Sequence, residues 1–128
     1  MEDARDGRTM QIGELAERAG LSLHTLRHWD EVGLLKPSVR SDGGFRLYTE
    51  DDLSRLLVIR RMKPLGFSLE EMADVMAVVE ELPTAGADRA RALRARLAEV
   101  VTEAEQRRTK LETQLAMADE FIGLLRSQ

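Results

Sequence analysis

Apolar residues along this chain recur first at helical spacing, then at strand spacing, then at helical spacing to the end. Leu15, Ala16 and Ala19 turn one face of a short helix inward, and Gly20 is placed to stop it. Ser22 is an N-cap for a second helix, Leu23 to about Val32, which Gly33 closes. With Leu26 at its buried centre, Trp29 falls near the core, while His24, Arg27, His28 and Glu31 share the opposite face with Thr25 at its margin. Two short helices joined through Gly-Leu-Ser form a helix-turn-helix candidate, a pairing that many helical bundles also contain.

From Leu34 the periodicity changes. Pro37 and Gly43-Gly44 interrupt any helix, and Phe45-Arg46-Leu47-Tyr48 alternates as a strand does, which predicts a β-hairpin with residues 41–44 at its tip. Thr49 opens a third helix with Thr49-x-x-Asp52, a capping box with Asp in place of Glu or Gln. Leu53, Leu56, Leu57, Ile59/Arg60 and Met62 continue that helix, and Pro64 with Gly66 close it. Ser68-x-x-Glu71 caps a fourth, Leu69 to about Leu82, with Met72, Val75, Met76 and Val79 as its stripe and Pro83 as its stop.

Residues 87–126 hold no Pro and a single Gly. Leu97, Ala104, Leu111, Ala118 and Leu125 recur every seventh position; Leu93 and Val100 flank that line early, Leu115 and Ile122 flank its other side later, and the switch falls at Arg107-Arg108. A helix of this extent is about 60 Å long, too long to bury its stripe on an upstream domain. The stripe therefore predicts a two-helix coiled coil with a second chain, against the plainer alternative of a solvated monomeric helix. The expected fold is mostly α with a small β-hairpin wing. A disordered tail covers residues 1–9, a winged helix-turn-helix domain 10–82, and a long C-terminal dimerisation coiled-coil helix 83–128.

The net charge of −4 argues against a nucleic-acid binder until it is divided. Residues 10–66 carry nine Lys/Arg against eight Asp/Glu, residues 67–128 eight against twelve, so the acidity sits mainly in the C-terminal half. A basic face on a near-neutral domain needs only segregated charges. No stretch approaches the roughly 20 apolar residues of a membrane helix, the polar opening segment is not a secretory signal, and the absence of cysteine excludes disulfides and thiolate sites. A reducing cytoplasm fits.

Catalysis finds little support. His24 and His28, four apart, could share a metal, but no carboxylate accompanies them as in His-Glu-x-x-His, and no Gly-rich phosphate loop follows a strand. No cofactor and no metal are expected. DNA binding has a physical case: Ser22, Thr25, Arg27 and His28 offer donors near a helix N-terminus, where the dipole favours phosphate. Arg40, Phe45, Arg46 and Tyr48 gather cations and aromatics on the hairpin, and Arg60, Arg61 and Lys63 cluster before Pro64. The bland reading of these positions is a solvated polar surface, and Glu31 speaks for it.

The blocks Ile12-Gly-Glu-Leu-Ala16, Thr25-Leu-Arg-His-Trp-Asp-Glu-Val-Gly-Leu-Leu-Lys-Pro37, Gly44-Phe-Arg-Leu-Tyr48 and Leu65-Gly-Phe-Ser-Leu-Glu-Glu71 resemble, in order and spacing, the MerR (mercury-resistance regulator) family of bacterial transcription regulators. The resemblance covers about residues 10–82. It implies a homodimer held by an antiparallel coiled coil, with Leu93, Leu97, Val100, Ala104, Leu111, Leu115, Ala118, Ile122 and Leu125 at the interface. Two winged domains would grip a palindromic operator in double-stranded promoter DNA and distort it for RNA polymerase. Carried over by position, Thr25, Arg27 and His28 look like recognition-helix contacts, Arg40, Phe45, Arg46 and Tyr48 like wing contacts, and Arg60, Arg61 and Lys63 like a second wing.

Three departures stand out. His28-Trp29 replaces two tyrosines usual in the family, Pro64 interrupts a helix that most relatives continue, and the cysteines of the metal and redox sensors are absent. Nor do these 128 residues hold a separate drug-binding domain. Any effector is then expected to be organic or a partner protein. A candidate effector pocket joins Phe121 and Leu124 at the coil end to Met72 and Met76 of the second copy, unless these residues only complete a core. The alternative function is a coiled-coil interaction module that retains the helix-turn-helix as a docking scaffold.

Overall fold

The computed structural model describes residues 8–37 and 39–128. The expected tail therefore lies largely outside the described residues. The chain divides into two compact units between Met76 and Ala77.

In the first unit, α1 (Ile12–Ala19) ends at Gly20, whose φ of +68° would strain any side chain. The Leu21 N–H then donates back to the Ala16 carbonyl at 3.0 Å, closing the helix in the Schellman manner. α2 (Leu23–Glu31) starts on Ser22, whose hydroxyl accepts the Thr25 N–H at 3.0 Å. Leu34 and Leu35 N–H groups both return to the Trp29 carbonyl, at 2.9 and 3.1 Å, so the chain folds tightly under the helix end. Strands β1 (Val39–Arg40) and β2 (Arg46–Leu47) pair antiparallel, Val39 with Leu47 and Arg40 with Arg46.

α3 (Glu50–Met62) carries the predicted capping box in both directions: Thr49 N–H to the Asp52 carboxylate at 2.8 Å, and Asp52 N–H to the Thr49 hydroxyl at 3.2 Å. Those bonds, with Arg55 at 3.4 Å, satisfy a carboxylate that is otherwise fully buried. Pro64 does not end the helix abruptly; a 3₁₀ turn, Lys63–Leu65, continues it to Gly66. The Ser68/Glu71 box also closes reciprocally, at 2.8 and 3.0 Å, ahead of α4 (Leu69–Glu81). Leu15, Leu26, Leu56 and Ile59, with Tyr48, are the most deeply buried large side chains of this unit.

The second unit begins inside α4. Glu81 in the last turn of α4 holds Arg89 through two bonds, at 2.6 and 2.9 Å, across the 3₁₀ turn Leu82–Thr84. α5 spans Ala87–Arg126, forty residues, as the absence of breakers predicted. Ala90 and Leu93 are buried, Leu97, Val100 and Ala104 half-buried, and every residue from Arg108 onward is exposed, including Leu111, Leu115, Ala118, Ile122 and Leu125. Phe121 and Leu124 are exposed too, whereas Met72 and Met76 are buried core residues. Among the described residues no helix is long and apolar enough to cross a membrane.

Candidate nucleic-acid interface

The first unit places α2 and the hairpin on either side of an open cleft of about 490 Å³. Arg27 and Glu31 line it from the helix, Arg40, Phe45 and Arg46 from the hairpin, and Asp30 and Tyr48 from deeper positions. Burial of Leu26 and Trp29 forces the rest of α2 outward, so His24, Arg27, His28 and Glu31 are exposed together. Arg27 has no hydrogen-bond or ion-pair partner among the described residues, which leaves its whole guanidinium for an incoming acceptor. Ser22 and Thr25 are committed to the helix start: the Ser22 hydroxyl donates to the Thr25 hydroxyl at 2.9 Å while accepting the Thr25 N–H.

The hairpin tip is organised by its own small residues. The Ser41 N–H donates to the Phe45 carbonyl at 2.9 Å, the Phe45 N–H to the Ser41 hydroxyl at 3.1 Å, and Gly44 takes a φ of +83°. Arg40 reaches the Gly44 carbonyl at 3.3 Å. These bonds push Phe45 out; at 68% exposure it is a bare aromatic ring at the rim of the cleft. Arg46 forms an ion pair with Asp30 of α2, a partner that sequence reasoning missed. Asp30 lies four residues after Leu26, on the flank of the buried stripe, and that spacing was the available signal.

Two residues expected to meet DNA are engaged with the fold, Tyr48 at the floor of the cleft and Arg60 at the end of α1. Tyr48 is fully buried, because it lies beyond β2 in a backbone bridge with Met10, each N–H donating to the other's carbonyl at 2.8 Å. Its hydroxyl has no partner among the described residues, and burial raises its pKa above the ordinary phenol value. Arg60 is half-buried and donates to the Ala19 carbonyl at 2.5 Å, satisfying an orphan acceptor at the end of α1. Arg61 is exposed, and its guanidinium donates to the Leu57 carbonyl one turn back at 3.2 Å. Lys63 lies over the Trp29 ring, 5.9 Å from its centroid. The cluster before Pro64 is thus largely engaged with the fold.

One more tie braces the head. Arg18 of α1 grips Glu50 in the first turn of α3 at 2.5 and 3.0 Å. The hydrogen bonds hold the Glu50 carboxyl below the usual carboxylate range and raise the Arg18 pKa. No cluster of three or more metal-ligating side chains occurs among the described residues.

Comparison with known proteins covers residues of both units. The profile of the MerR helix-turn-helix family of regulatory proteins matches residues 10–78, and that of the MerR DNA-binding region matches residues 53–118. The HTH-type transcriptional regulator ZntR of Escherichia coli (strain K12) is 44% identical over 68 residues, which are 53% of this chain and 48% of ZntR. The chain spans about half the length of the curated relatives it matches. The crystal structure of PbrR691 from Ralstonia metallidurans CH34, in complex with lead(II), aligns at 36% identity over 91% of this chain and 86% of that one, with a TM-score of 0.53. HiNmlR, a MerR family regulator lacking the sensor domain and bound to promoter DNA, aligns over 94% and 92% with a TM-score of 0.72; at 22% identity the likeness is one of fold. Matched by two of its profiles, each over more than half of its length, this chain belongs to the MerR family of helix-turn-helix regulatory proteins.

Proposed function

We propose that this chain is a sequence-specific DNA-binding transcription regulator, working in the cytoplasm as an antiparallel homodimer that distorts promoter DNA for RNA polymerase. It has no enzymatic role. The observation that carries the reading is the cleft of the first unit, where Arg27, the wing arginines Arg40 and Arg46 and the bare Phe45 ring converge. Helix and wing together can grasp one groove and its adjoining backbone, and guanidinium groups suit both phosphate and the edge of guanine. HiNmlR, of the same fold, is bound to promoter DNA.

The second copy is argued from α5. Its exposed apolar line, Leu111, Leu115, Ala118, Ile122 and Leu125, has no cover among the described residues, and a second identical helix is the simplest partner for a seven-residue repeat. The two halves of the seam use different flanking rows, so an antiparallel pair meets each half with the other. PbrR691 takes lead(II), but soft metals call for thiolates and this chain has no cysteine. Any effector is accordingly organic or a protein.

The test is binding to the duplex upstream of the chain's own gene across a salt series. Affinity should fall steeply with salt. Arg27→Ala should weaken binding and flatten the slope by about one unit for each phosphate that is no longer neutralised. A folded dimer that ignores this and other duplexes at low salt would instead favour the coiled-coil interaction module.

A further inference from the structure

We infer that Asp30 is the positioning residue of the wing: its buried carboxylate holds Arg46 and so sets where the hairpin stands relative to the recognition helix. This rests on the DNA-binding reading above.

The hairpin is too small to orient itself. Each strand has two residues, and all but Leu47 are exposed; isolated two-stranded hairpins are marginal in water. Its attachments must come from the body. The Met10–Tyr48 bridge fixes the base, where the chain leaves β2. Beyond that base, Arg46–Asp30 is the one ion pair joining the hairpin to α2 among the described residues. Asp30 lies three residues after Arg27, one turn along the same helix. The distance between the helix's DNA-facing cation and the wing is therefore set through a single helical turn and a single ion pair.

The burial of the two partners decides between a brace and an inhibitory latch. The Asp30 side chain is 8% exposed and that of Arg46 51%. A latch that opens for DNA would leave a buried carboxylate unpaired, which is strongly unfavourable. Arg46 therefore keeps Asp30 when DNA arrives and uses its remaining N–H donors, of the five a guanidinium has, for phosphate. The carboxylate touches no DNA itself; it acts through Arg46.

Asp30→Asn keeps the shape and removes the charge. For the duplex upstream of the gene its affinity should fall about ten- to a hundredfold, the equivalent of one charge-assisted bond. For a scrambled duplex it should hold or rise, since one negative charge has gone from the DNA face. Partial unfolding would weaken both, so the divergence separates positioning from mere damage. Asp30→Glu should recover most of the specific affinity, and on an Arg46→Ala background Asp30→Asn should weaken binding no further. In the free protein, amide exchange at Ser41 and Phe45 should quicken in Asp30→Asn, while Leu34 and Leu35 keep wild-type protection. Wild-type or tighter specific binding by Asp30→Asn overturns the inference, tighter binding marking a latch. If the wild-type chain binds no DNA, the regulator reading fails first. Unchanged hairpin exchange in Asp30→Asn then overturns the positioning role independently.

Discussion

Truncating Leu115 to Ala tests the dimer at a position the single chain leaves open. Leu115 retains 64% of its exposure, and full burial of a leucine stabilises by about 1.5–3 kcal/mol. Covering the exposed two thirds thus contributes about 1–2 kcal/mol per copy, or about 2–4 kcal/mol in a dimer where each copy supplies one. Leu115→Ala should accordingly raise the dimer dissociation constant about thirty- to several-hundredfold. Alanine is the better helix former, so a weakened dimer cannot be blamed on a weakened α5. Sedimentation equilibrium over a concentration series measures the constant directly. Leu115→Asp, which places a carboxylate in the seam, should sediment as a monomer at the same concentrations. An unchanged constant in both variants, with a conserved helical signal, would refute the assignment of Leu115 to the seam.

Three further outcomes follow from the same structure. Arg60→Met should cost about 1.5 kcal/mol of stability through the uncapped Ala19 carbonyl, read as a lower Tm, while the salt slope of DNA binding stays that of wild type; a flattened slope would return Arg60 to the DNA face. The Glu50 carboxyl is held below its ordinary value by Arg18, so in acid the folded state binds fewer protons than the unfolded one. The stabilisation is complete above the unfolded carboxylate value and fades as pH falls through the lower folded one; Glu50→Gln should flatten this acid limb of a Tm-against-pH curve, and an unaltered limb would dismiss the pair. Titration with copper, zinc and lead(II) salts should give no stoichiometric submicromolar change in Tm or in DNA binding, and such a response surviving replacement of both His24 and His28 would defeat the argument from missing thiolates.

What could be read from sequence depended on the range of the interaction. The Thr49/Asp52 and Ser68/Glu71 boxes span three residues and were legible as spacing, and α5 was legible because nothing in it breaks a helix. Arg46–Asp30 and Arg18–Glu50 join residues 16 and 32 positions apart, and no local pattern encodes such partners. Alternation along Phe45-Arg46-Leu47-Tyr48 puts Arg46 and Tyr48 on one face, and both line the cleft, but β2 stops at Leu47 and Tyr48 is fully buried, which alternation does not encode. Arg60 belongs to two patterns at once, the helical run of α3 and the basic cluster before Pro64. It follows Leu53 and Leu56 at i+7 and i+4, on the buried stripe of α3, and reads as basic surface only when grouped with Arg61 and Lys63.

The chain's single tryptophan is a core residue of α2, with the Lys63 ammonium beside its ring, and its single tyrosine is in the same unit. Nothing in α5 fluoresces in that range, yet α5 supplies forty residues of helix. Emission therefore follows the reading head alone, while far-ultraviolet ellipticity is weighted toward the rod. Recording both on one sample during denaturation needs no label and no variant. Coincident curves mean that head and rod melt as one cooperative body; separated curves give each its own midpoint. If α5 pairs with a second chain as proposed, only the rod's midpoint should then climb with protein concentration.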